Sequence, residues 1–91
     1  MMVSVEEVAR FGRIDIVSDQ VRKELEELIL VAQGYLKTAT GRDFTVDDKV
    51  AVLYLKRWVV AQYDGNFEDE KVQHSLRLLL VQLQYGRGDN S

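Results

Sequence analysis

The chain has 91 residues, 46% of them apolar and 30% charged, with a net charge of −3 from twelve basic and fifteen acidic residues. That length holds one domain with a limited core, and the balance is too apolar for a disordered segment. Both signs of charge are spread through both halves, so no basic stripe is offered to nucleic-acid phosphates.

Cysteine and proline are absent. Without disulfide staples, a chain this short is expected to be made in a reducing, intracellular setting. Without proline, nothing breaks a long helix from within. Met1 to Phe11 carries Glu6 and Glu7 and lacks the layout of a signal peptide, and the apolar run Leu28 to Ala32 is too short to span a bilayer.

The first element is announced by Ser4-Val5-Glu6-Glu7, a capping box, followed by the short apolar stripe Val5, Val8, Ala9 and a stop near Gly12. Arg13 to Ile16 then reads as an extended connector whose Ile14 and Ile16 plug the core. A second helix begins at Ser18 or Asp19, both good caps. Its stripe is Val21, Leu25, Leu28, Ile29, Ala32, Tyr35, Leu36 and Ala39, and Thr40-Gly41 ends it. Gly34 lies inside this helix, which predicts a closely packed neighbouring backbone or a bend.

A third helix is expected from Thr45-Val46-Asp47-Asp48, with Thr45 as cap, to Asp64, with Gly65 as the stop. Its apolar residues cover most of the circumference, and a helix apolar all round must be buried all round. A chain this short is expected to have too few partners for that, which points to a subunit interface. After an acidic turn, Val72, Leu76, Leu79, Leu80 and Leu83 mark a fourth helix. The expectation is an all-α bundle of about four helices, over residues 4–11, 18–40, 46–64 and 71–85. It forms one domain, 1–85, followed by a flexible C-terminal tail, 86–91.

Chemistry is sparse. His74 is the single histidine, and with no cysteine it cannot build a usual zinc site. Asp64 to Glu70 alternates oxygen-bearing residues as a calcium loop does, but Asp69 stands where the loop needs glycine and Ser75 where it needs glutamate. No phosphate loop and no nucleophile–histidine pairing is present. Lys56-Arg57 reads as a pair snorkelling from the edge of the third helix. No catalytic residue, metal or cofactor is expected.

Three segments carry a resemblance. Phe11-Gly12-Arg13-Ile14-Asp15 looks like the opening "hydrophobic–Leu–Arg–Ile–Asp" element of the head–tail connector (head-completion or adaptor) proteins of tailed bacteriophages. Ala39-Thr40-Gly41-Arg42-Asp43-Phe44 is similar to that family's "A–T–G–R–x–F" signature. The third helix, with Trp58 and Tyr63, resembles its "W/H–x–Y" segment. Gly12 stands where the family usually has leucine, and the loop before the last helix lacks the usual proline.

The resemblance implies a non-enzymatic subunit of a ring, dodecameric to match the portal. Such a ring docks under the portal protein, extends the DNA channel and meets a stopper or tail-completion protein. Double-stranded DNA would pass through the lumen without sequence-specific binding. The place would be the head–tail junction of the virion, after synthesis in the host bacterial cytoplasm. Tyr54, Leu55, Trp58 and Tyr63 are the candidate core or inter-subunit packing positions. Tyr85, Gly86, Arg87, Gly88 and Asp89 are the candidate portal-docking segment, and Asp64, Asn66, Phe67 and Glu68 the candidate neighbour-contact loop. The rival readings are a small helical DNA-binding regulator, which the negative charge opposes, and a generic protein-interaction module.

Overall fold

Four segments form four helices in a computed structural model that describes residues 1–16 and 18–85. Among the described residues there is no strand, and no helix is long and apolar enough to cross a membrane.

Helix α1 (Val5–Gly12) opens on the expected capping box. Ser4 Oγ accepts from the Glu7 N–H at 3.0 Å, and Glu7 Oε1 accepts from the Ser4 N–H at 2.9 Å. The stop differs from expectation. Gly12 stays helical, and Arg13 takes the left-handed conformation at φ 55°. The Ile14 N–H donates to the Ala9 carbonyl at 2.8 Å, which closes the end. Ile14 and Ile16 are half-buried against the core, as plugs should be.

Helix α2 (Asp19–Thr40) starts at Ser18, whose Oγ accepts from the Val21 N–H at 3.2 Å. Gly41 ends it at φ 70°, donating its N–H to the Lys37 carbonyl at 2.7 Å. Leu25, Ile29, Ala32 and Leu36 are buried. Tyr35, expected in the same stripe, lies at its edge and is exposed. The close neighbour expected at Gly34 is not there: an added Cβ would meet nothing within 4 Å, because this glycine faces away from the core.

Helix α3 (Lys49–Asp64) begins three residues later than expected. Thr45 does not cap it. The Thr45 N–H donates to Asp48 Oδ2 at 2.8 Å, the Asp47 N–H to Thr45 Oγ1 at 3.2 Å and the Asp48 N–H to the Thr45 carbonyl at 3.0 Å. These bonds close residues 45–48 into a turn, and the helix starts only beyond it. Gly65, at φ 78°, supplies the expected stop.

Helix α4 (Glu70–Tyr85) is capped by Asp69, whose Oδ1 accepts from the N–H groups of Lys71 at 2.8 Å and Val72 at 3.3 Å. The acidic turn is thus a helix start.

The main correction concerns α3. This helix packs against α1, α2 and α4 alike, so most of its apolar surface is covered within the one chain, with Val50, Val52, Leu53, Val60 and Tyr63 half-buried. Ala51, Tyr54, Leu55, Trp58, Val59 and Ala61 are buried, and only Lys49, Arg57 and Asp64 are exposed. The short α1 supplies the third side that a simple hairpin count misses. Gly12 makes that approach possible: a Cβ there would sit 2.7 Å from Val60 Cγ2. The N-terminus is also tied down. Val3 is buried, and the Met2 N–H donates to Gln33 Oε1 at 2.6 Å.

Candidate interaction surface

Three of the sequence-selected residues converge. Tyr54 and Trp58, one turn apart on α3, meet Phe67 from the loop before α4 and Tyr35 from α2. Together with Arg77 and Leu80 they line a groove of about 270 Å³. Trp58 holds the cluster. Its ring lies edge-on to Phe67 with centroids 5.2 Å apart, and tilted by 30° over Tyr35 at 6.3 Å. Tyr54 is nearly fully buried, and burial, with the Tyr35 phenol nearby, pushes its hydroxyl up to about 12.

The other candidates separate. Leu55 lies wholly inside the core, and Tyr63 is half-buried against it. Asp64, the last residue of α3, is exposed, as are Asn66 and Glu68 on the loop that follows. Asn66 borders a second groove of about 270 Å³, with Phe11, Val60 and Val72 as its apolar lining and Arg57 and Lys71 at the side. There the Arg57 guanidinium donates to the Ser75 hydroxyl, and Lys56 sits 6.0 Å from the Phe11 ring centroid. Both cations of the sequence-noted pair thus lean on neighbours at the edge of α3. Tyr85 is exposed at the end of α4, and Gly86, Arg87, Gly88 and Asp89 lie outside the described residues.

The segment Ala39 to Phe44 works as a helix stop. Thr40 Oγ1 donates to the Leu36 carbonyl at 2.8 Å and accepts from the Arg42 N–H at 3.2 Å. Arg42 stacks over Phe44 at 5.2 Å, and Asp43 pairs with Lys37 at 2.7 Å. Each polar residue in the segment therefore has a partner close in sequence. A second exposed ion pair, Arg22 with Glu6 at 2.7 Å, links α2 to α1 and holds the Glu6 carboxyl below its usual range.

Beyond Tyr85, sequence reasoning missed an exposed set of apolar side chains. Leu30, Val31 and Tyr35 face solvent on α2, and Leu78, Val81 and Tyr85 on α4. A signal for the second set was available. These three residues are spaced by three and four, on the side of α4 opposite its core stripe. Among the described residues, no group of three or more histidine, cysteine or acidic side chains is placed to hold a metal ion. Comparison with known protein families, with curated proteins and with solved structures finds no match to this chain.

Proposed function

We propose that this chain is a structural subunit of a bacteriophage head–tail connector ring, one that docks under the portal, extends the DNA channel and links the head to stopper or tail-completion proteins. The order of the helices and the segments Arg13 to Asp15 and Ala39 to Phe44 support this reading by resemblance. The physical observation behind it is the apolar surface that α2 and α4 turn to solvent. A subunit that works by contact needs such surface, and an assembly buries it. The net charge of −3 suits a channel wall that must let DNA slide, since cations on phosphates would hold the strand.

The test is binding to purified portal assemblies, read by electron microscopy as an added ring of density below the portal. The full chain is expected to bind, and a chain truncated after Gln84 is expected to keep its helices and lose the portal. Failure of the full chain to bind any portal refutes the connector reading. Binding by the truncated chain refutes the role given to its end. Retardation of duplex DNA at low salt would favour the regulator instead.

A further inference from the structure

The outer face of α4 carries a second row of side chains, opposite the core row of Val72, Leu76, Leu79 and Leu83. His74, Leu78, Val81 and Tyr85 follow one another at steps of four, three and four. All four are exposed, the three apolar ones at 53%, 45% and 81%. Alternating steps of three and four keep a row on one side of a helix and define the seam of a two-stranded coil.

This row has a further property. Steps of four, three and four read the same in both directions. Laid end for end against itself, the row sets Leu78 opposite Val81 and His74 opposite Tyr85, each contact occurring twice. We propose that two copies of this chain pair through antiparallel α4 helices, about a two-fold axis that passes between the levels of Leu79 and Leu80. The contact is isologous, so it closes at two copies and leaves no open end.

Charge agrees with the pairing. The residues that flank the seam are Ser75, Arg77, Gln82 and Gln84. Across an antiparallel seam Arg77 faces Gln84 of the second copy and Ser75 faces Gln82, so no like charges oppose each other. Arg77 is the one charge among the four flanking residues, and no acidic residue stands among them. A single pair of 16-residue helices buries less than the roughly 1,200–2,000 Å² of a stable interface. The dimer is therefore reversible and concentration-dependent. It stands without the connector reading, and a dimer of this kind would withhold the α4 surface from other partners until displaced.

Sedimentation of the full chain over about 1 µM to 1 mM is expected to show the 10.5 kDa monomer giving way to a species of twice that mass. Leu78→Glu, checked by circular dichroism for unchanged helicity, is expected to weaken pairing at least tenfold. A wild-type chain that stays monomeric throughout overturns the proposal, as does one that passes straight to larger rings.

Register is read by cross-linking, since the chain has no cysteine of its own. His74 and Tyr85 lie about 16 Å apart along the helix axis, and a disulfide needs Cα atoms within roughly 7 Å. A mixture of the single variants His74→Cys and Tyr85→Cys is expected to form an oxidised dimer between the two, while neither variant cross-links alone. Equal cross-linking by one variant alone means parallel pairing, and no cross-link in a mixture that still dimerises means another surface. Either result overturns the proposal.

Discussion

Gly12 and Gly34 are both helical, and alanine is expected to act in opposite directions at the two sites. At Gly34 an added Cβ meets nothing, so Gly34→Ala gains the helix propensity difference of about 1 kcal/mol. In a domain of this size that raises the unfolding midpoint by roughly 4–8 °C, measured by thermal melting. At Gly12 the new methyl would crowd Val60, a β-branched residue on a helix with little freedom to rotate away. Overpacking costs roughly 1–3 kcal/mol, which outweighs the propensity gain, so Gly12→Ala is expected to lower the midpoint. Adding Val60→Ala to Gly12→Ala should remove the clash and separate α1 docking from any general effect. The sequence places the close neighbour at Gly34 and reads Gly12 as a stop, and the structure puts the close contact at Gly12. Only the position of Val60, far along the chain, distinguishes them.

At the scale of the element, most boundaries are legible from local signals. The Ser4–Glu7 box, the Ser18 cap and the stops at Gly41 and Gly65 each depend on neighbours within a few residues, and each stands where the sequence puts it. The start of α3 was misread because threonine and aspartate can cap a helix or close a turn, and residues 45–48 take the turn. The capping box also sets a pH dependence. The Ser4 backbone N–H, bonded to the Glu7 carboxylate, holds that carboxyl below its ordinary value of 4.5. A depressed folded pKa stabilises the fold above the unfolded value and loses that contribution as pH falls through the folded one. The docking of α1 is therefore expected to weaken on acidification from about pH 4.5 downward. Glu7→Gln should flatten this part of the profile, measured as denaturant stability at pH 6 and pH 3 (roughly either side of the carboxylate range). An unchanged slope would mean the box contributes nothing to the acid response. At the alkaline end, the Tyr54 hydroxyl titrates near 12 and an unfolded tyrosine near 10, so stability is expected to fall between those values. Ultraviolet titration should show one phenol ionising late, and Tyr54→Phe should abolish that late step.

At the scale of the whole molecule, the expected stripes of α1, α2 and α4 face the core, apart from Tyr35, and the difference lies in where the excess apolar surface stands. The circumference of α3 pointed outward only if two neighbours were available to cover it. A third, the eight-residue α1, turns that surface into core. Apolar side chains beyond the needs of the core stand instead on the outer sides of α2 and α4, where a stripe search stops after finding the first stripe. Leu55 and Leu78 separate the two roles. Leu55 is fully buried, so Leu55→Ala removes a packed side chain and leaves a cavity, at a cost of roughly 2–5 kcal/mol. A domain of this length holds only about 5–15 kcal/mol in total, so this one change is expected to lower the denaturant midpoint sharply. Leu78 is half exposed, and Leu78→Ala should leave the stability of the monomer within about 0.5 kcal/mol. The two variants must be compared in dilute solution, because pairing through α4 would add stability that grows with concentration. Under those conditions a large loss from Leu78→Ala would place that side chain in the core. A loss that appears only when the wild-type chain is concentrated would place it in an interface.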